Sequence, residues 1–134
     1  MTPVLPIVSA ACTALLGLLA AMLAVRVIAA RVRRNVNAGD GGHADLAQAI
    51  RAHSNLIEHA PLALLLLAFA EASGAWRMAV LGLGLALIVA RLASAWGLSH
   101  SLGQSKGRQA GASLTLLVIV AASLLTLYRL AITL

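Results

Sequence analysis

The sequence predicts an all-α integral membrane protein, a bundle of four transmembrane helices. Three observations predict it. Of its 134 residues, 61% are hydrophobic and only 10% carry a charge, with a mean hydropathy of +0.95, whereas a soluble domain is about half apolar and about a quarter charged. The apolar residues gather into segments that span, or can be extended to span, a hydrocarbon core taking about 20 helical residues. No stretch shows the alternation of a barrel strand, and backbone amides left unpaired in lipid admit only helices or closed barrels.

Residues 4–25 contain no charged side chain and form the body of a first span at 4–30. A secretory signal peptide is the competing reading, but such a segment opens with basic residues before a shorter apolar core, and residues 1–6 hold no Lys or Arg. Residues 35–43, centred on Gly39-Asp40-Gly41-Gly42, read as a turn whose glycines permit positive φ. A phosphate-cradling loop would instead follow a strand and end in Lys-Ser/Thr. The second span, 46–72, has an apolar part at 60–70 that is too short alone and must recruit the polar stretch 45–59. Asp45 is expected as its N-cap, with Gln48 three residues on in capping-box spacing. At 1.5 Å per residue this helix is about 40 Å long, so it should project from the bilayer on one side. Within it Pro61 removes the amide that would bond the Ile57 carbonyl, which allows a kink. A tight hairpin at 73–76 leads into the third span, 76–98, whose apolar part 78–90 continues through Arg91. Residues 99–107 connect it to the fourth, 108–132, built on the uncharged run 110–128. Residues 1–134 thus make a single domain, with no internal repeat.

Ten Lys and Arg against four acidic residues leave a net charge of +6. Nucleic acid is nevertheless excluded as a partner, because the basic residues lie between apolar segments and aromatics make up only 3% of the chain, too few to stack bases. Cys12, the one cysteine, rules out an internal disulfide and reads as packing. The histidines His43, His53, His59 and His100 include no pair spaced for a zinc site on one helical face, so no metal is expected. Gly82 and Gly84 suit close helix approach. Arg26, Arg31, Arg33 and Arg34 flank the first loop and Lys106 and Arg108 the third, against Arg77 and Arg129 on the opposite side. The positive-inside rule therefore places the first and third loops in the cytoplasm and both termini outside. Trp76 and Tyr128 would mark the outer interface and Trp96 the cytoplasmic one.

Ionisable residues inside spans are costly and by default suggest function. Arg51, Asn55 and Glu58 stand at i, i+4 and i+7; at about 100° per residue they form one narrow polar stripe on the second helix. His59 falls near its edge, while His53, about 200° round from Arg51, points away. A structural ion pairing of Arg51 and Glu58 with Arg91 is one reading of these charges. Against it, Arg31, Arg51, Arg91 and Arg108 near one membrane face meet only Glu58 and Asp45. An arginine excess of that kind suits an anionic ligand, preferably one with carboxylates that accept bidentate bonds.

The run Gly39-Asp40-Gly41-Gly42, followed by Ala49-Ile50-Arg51-Ala52-His53-Ser54-Asn55-Leu56-Ile57-Glu58-His59-Ala60-Pro61, resembles the MAPEG family, membrane-associated proteins of eicosanoid and glutathione metabolism, and its short bacterial members in particular. The Arg-x-x-x-Asn-x-x-Glu-x-x-Pro pattern is the most specific feature. Val27-Ile28-Ala29-Ala30-Arg31, Ala90-Arg91-Leu92, Trp96-Gly97 and Gly107-Arg108-x-x-Gly111 extend the likeness along nearly the whole chain. The resemblance implies a homotrimer in the bacterial inner membrane, where the outward termini are periplasmic by the charge bias above, with glutathione as co-substrate in clefts between subunits at the cytoplasmic side. It implies glutathione contacts from Arg31, Arg51, Asn55 and Glu58, with Glu58 facing the peptide's amino group and the arginines its carboxylates. His59 would border that site, Arg91 would be a buried structural or binding arginine, and Arg108 would stabilise the thiolate as the catalytic residue. The sequence departs from the glutathione-using synthases of the family at His59, Ser94 and Leu98, where those carry tyrosines. The activity implied is a glutathione-dependent transferase or peroxidase acting on hydrophobic electrophiles, with membrane lipid and a small hydrophobic substrate as partners. A non-catalytic membrane trimer binding another anionic or lipid-like ligand, and a structural or transport bundle, are the alternatives.

Overall fold

The computed structural model describes residues 5–100 and 106–133. It contains four helices, α1 (Ile7–Arg34), α2 (Ala44–Ala72), α3 (Arg77–His100) and α4 (Lys106–Thr133), each long and apolar enough to cross a membrane. All four expected spans are present, the first running further than expected toward its basic end. Residue 4 and residues 101–105 of the expected third linker lie outside the described residues.

The left-handed residue Asn35 (φ 54°, ψ 43°) ends α1. Its N–H bonds the Val32 carbonyl at 3.3 Å and the Val36 N–H reaches the Arg31 carbonyl at 3.1 Å, the paired bonds of a Schellman motif. Arg31, Arg33 and Arg34 occupy the last turn, where the helix dipole favours positive charge. In the following loop Gly39, Gly41 and Gly42 all have positive φ, as the turn reading requires. The Asp40 side chain accepts the Gly42 N–H at 2.9 Å.

The expected N-cap is corrected. Helix α2 starts at Ala44 after an extended His43, and no side chain caps it. The helix starts two residues earlier than an N-cap at Asp45 would set it, after a turn closed by the His43 N–H on the Asp40 carbonyl at 3.0 Å. Asp45 instead sits inside the first turn, still favoured by the helix dipole, and its carboxylate pairs with Arg34 at 3.2 Å. From there α2 runs through Pro61 as one element to Ala72. The hairpin at 73–76 forms as expected, closed by the Ala75 N–H on the Ala70 carbonyl (3.0 Å) and braced by Arg129 Nε on the Ser73 carbonyl (3.0 Å).

Helices α2 and α3 are central, with α1 against one side and α4 against the other; α1 and α4 do not touch among the described residues. In lipid no hydrophobic gain drives helices together, so close packing of small side chains has to do it. The core accordingly mixes Ala52, Ala60, Ala63 and Ala90 with Leu56, Leu67, Leu87 and Val118. The expectation for Gly84 holds: a Cβ there would stand 2.8 Å from the Cys12 sulfur, so its absence lets α3 approach α1, while Gly82 faces open space. Cys12 is buried in that contact. Leu18, Leu65, Leu85 and Leu124 are among many large apolar side chains on the outside, as a lipid-facing surface requires. Trp76, Trp96 and Tyr128 are also exposed.

Glu71, at the far end of α2, makes a contact that sequence reasoning missed. Its carboxylate accepts the Val8 N–H (2.9 Å), the Ser9 N–H (2.8 Å) and the Ser9 hydroxyl (2.7 Å), so α2 caps the first turn of α1. Pro6 offers no capping side chain of its own, and the acceptor lies more than 60 residues away.

Candidate functional site

Arg91 has the largest fully buried side chain among the described residues, 1% exposed. A guanidinium inside a membrane bundle must find acceptors, because an unpaired buried charge is far more costly than a lost hydrogen bond. It finds them on its own helix and on two of its neighbours, α2 and α4. Nη1 donates to the Asn55 side-chain oxygen (3.1 Å) and the Asn55 carbonyl (3.3 Å) on α2. Nη2 donates to Ser94 Oγ (3.1 Å) on α3, and to the Gly111 carbonyl (3.1 Å) and the Thr115 hydroxyl on α4. Thr115 in turn donates to the Gly111 carbonyl at 2.8 Å. Nε has no partner among the described residues.

The reading in which Arg51 and Glu58 pair with Arg91 is therefore corrected. Among the described residues Arg91 forms no ion pair, its acceptors all being neutral oxygens. Arg51 and Glu58 face each other across two turns of α2 at 3.9 Å, too far for a hydrogen bond, with side chains 54% and 52% exposed. Asp45, the other acid set against the arginine cluster, belongs to Arg34.

The Arg91 bonds define a level in the bundle that Asn55 and Gly111 share. Arg51 lies one turn from it toward the Asn35–His43 loop, and Arg108, in the first turn of α4, lies nearly one turn from it in the same direction. Glu58 lies about 4.5 Å to the other side, at 1.5 Å per residue. Thus Arg51, Asn55, Glu58, Arg91 and Arg108 gather within about one turn of a single depth. His59 joins them: its Nδ1 is 3.0 Å from the Asn55 carbonyl, and since a carbonyl only accepts, Nδ1 carries the proton. Arg108 is half-buried, and Gly107 before it lies close to the Ala93 carbonyl of α3.

Arg31 is not brought into this group within the chain. Arg26 bonds Ser99 at 2.7 Å, which aligns the end of α1 with the end of α3. Arg31 then lies about 20 Å along the axis from Arg91, at 1.5 Å per residue, beside Val32, Asn35 and Val36, with Nη1 buried and unpartnered among the described residues. The other two positions that depart from tyrosine point inward: Ser94 holds Arg91, and Leu98 is 2% exposed in the core. Sequence reasoning also missed Thr115 and the Gly111 carbonyl. The available signal was that a mid-membrane arginine needs oxygen acceptors at its own depth, and Thr115 is the hydroxyl one turn beyond Gly111. Next to the stripe, an apolar groove of about 450 Å³ runs between α1 and α2, lined by Leu16, Gly17, Ala20, Ile57, Pro61 and Leu64 among others.

Comparison with known proteins identifies the family. The model of the MAPEG family matches residues 9–128. The chain is 36% identical over 119 residues to the inner membrane protein YecN of Escherichia coli strain K12, covering 84% of this chain and 89% of that protein. It is equally similar to the YecN of Escherichia coli O6:H1 strain CFT073. With four membrane-length helices in place and a family match that takes in Arg31, Arg51, Asn55, Glu58, Arg91 and Arg108, this chain is a membrane protein of the MAPEG family.

Proposed function

We propose that the chain is a glutathione-dependent transferase or peroxidase acting on hydrophobic electrophiles, assembled as a homotrimer in the bacterial inner membrane with its site between neighbouring subunits. One observation carries this reading: Arg51 and Glu58, of opposite charge and each about half exposed, lie on the outer face of a membrane-spanning helix with Asn55 between them. Charges so placed cannot face lipid without heavy cost. A second copy covers them, and a zwitterionic ligand matches them. The stripe is about 10 Å long at 1.5 Å per residue, close to the reach of an extended tripeptide at about 3.3–3.6 Å per residue. Glu58 takes the amino group of glutathione, Arg51 a carboxylate, and the apolar groove beside Ile57 accommodates the electrophile. The buried Ser94 and Leu98 supply no phenol, which favours a second reading: a membrane trimer that binds another anionic or lipid-like ligand without turnover.

Calorimetry of the detergent-purified protein with glutathione and its S-alkyl analogues tests the site. Loss of a charge-assisted hydrogen bond costs roughly 1.5 to 3 kcal/mol, so Arg51→Ala and Glu58→Gln should each weaken binding by about 10- to 150-fold. Native mass spectrometry of the same variants should still show three chains. Parallel loss of assembly and binding would make the pair structural, and a wild-type monomer that binds glutathione would sink the intersubunit site. Turnover with a generic electrophile separates the enzyme from the non-catalytic binder.

The orientation proposed is both termini periplasmic. Arg26, Arg31, Arg33, Arg34, Lys106 and Arg108 share one end of the bundle and Arg77 and Arg129 the other, and short basic loops stay in the cytoplasm. An alkaline phosphatase fusion after Leu134 should be active; an inactive fusion reverses the assignment.

A further inference from the structure

We propose that Arg91 is a positioning residue that fixes the polarity of Asn55, making Asn55 a hydrogen-bond donor toward the ligand and so selecting a carboxylate or carbonyl group there. The inference rests on the glutathione reading of the stripe and specifies what one of its members can recognise. An asparagine carboxamide carries an acceptor on one side and two donors on the other, and in solution it turns freely. A guanidinium only donates. With Arg91 Nη1 3.1 Å from Asn55 Oδ1, the amide oxygen is committed inward, because the flipped amide would set N–H against N–H beside a buried cation. What Asn55 presents on the far side is Nδ2, with its two N–H donors, between Arg51 and Glu58 on the exposed stripe.

The guanidinium is itself held. Ser94 Oγ, the Gly111 carbonyl and the Thr115 hydroxyl anchor Nη2 from α3 and α4, so Nη1 has no freedom to leave Asn55. Nη1 also donates to the Asn55 carbonyl at 3.3 Å, which binds the backbone of that residue as well as its side chain. A donor placed in advance loses little entropy when the ligand arrives, which is where preorganisation raises affinity.

The test is a double-mutant cycle on glutathione binding by the detergent-purified full chain, comparing wild type, Arg91→Gln, Asn55→Ala and the double variant by calorimetry. If Arg91 acts through Asn55, each single substitution weakens binding by about 10-fold and the double variant is no weaker than Asn55→Ala. Losses that multiply to about 100-fold overturn the proposal, since Arg91 would then act independently of Asn55. Asn55→Asp separates the effect from misfolding. It keeps an acceptor toward Arg91, so it should melt no lower than wild type, yet it offers oxygen where the ligand needs N–H and should lose about 10-fold or more in affinity. Wild-type affinity in Asn55→Asp overturns the proposal. Absence of saturable glutathione binding by the wild type overturns the glutathione reading instead, and the side-chain amide signal of Asn55 in nitrogen-labelled protein then decides the role of Arg91. A signal that moves to the free-amide position in Arg91→Gln supports it, and one that does not move overturns it.

Discussion

Gly111→Ala should destabilise the protein strongly, although in an exposed helix interior the same change stabilises by about 1 kcal/mol. The added Cβ would stand 2.5 Å from the Ala90 carbonyl oxygen and 3.0 Å from the Ser94 amide nitrogen, and against Ser94 Oγ as well. The first two are backbone atoms of α3 and cannot rotate aside, so α4 has to back away. Overpacking of this kind costs about 1–3 kcal/mol, sometimes more. A second loss follows, because the Gly111 carbonyl accepts from Arg91 at 3.1 Å, and moving it strips an acceptor from a buried cation, about another 1–3 kcal/mol. Together they outweigh the propensity gain. Thermal unfolding in detergent checks this, with Gly82→Ala as control because a Cβ there meets nothing within 4 Å. A Gly111→Ala variant within about 0.5 kcal/mol of wild type would show that the α3–α4 contact is looser than described.

Arg108→Ala should abolish thiolate formation in bound glutathione, as the thiolate-stabilising role that the family resemblance implies for Arg108 requires. A free thiol has a pKa near 8.5 and is only about 3% ionised at pH 7; a cation that brings it to about 6.5 raises that fraction to roughly three quarters, a change of about 25-fold in nucleophile. Arg108 sits in the first turn of α4, where the helix dipole adds partial positive charge, and follows Gly107, which lies close against α3. The chain supplies no phenol at position 94 or 98 to share the task. Thiolate absorbance near 240 nm (roughly the usual band), recorded with glutathione saturating, should therefore vanish in Arg108→Ala and largely persist in Arg108→Lys, which keeps the charge. An undiminished thiolate signal in Arg108→Ala, with altered membrane insertion, would instead assign Arg108 with Lys106 to the anionic lipid surface and remove it from catalysis.

What sequence alone determined about this chain follows from chemistry that is local in the sequence. Hydropathy decides that a segment enters the membrane, and a lipid environment then decides that it is helical, so four helices and the glycine turn between the first two were legible without coordinates. The stripe of Arg51, Asn55 and Glu58 was legible for a similar reason, since residues four and seven apart share a helical face whatever surrounds them. What surrounds a face is not local, and there only the tertiary structure decided. Arg91 could be read as an ion-pair partner of Glu58 until packing placed neutral oxygens from Asn55, Ser94, Gly111 and Thr115 around its guanidinium. Asp45 had the spacing of a cap, but a helix starting two residues earlier and a nearby Arg34 gave its carboxylate a different partner. Glu71 caps a helix that begins more than 60 residues before it. In each case a hydrogen-bonding group takes the partner that three-dimensional proximity offers, and in a bundle that proximity is set by which helix lies beside which, a relation that no periodicity within a single helix encodes.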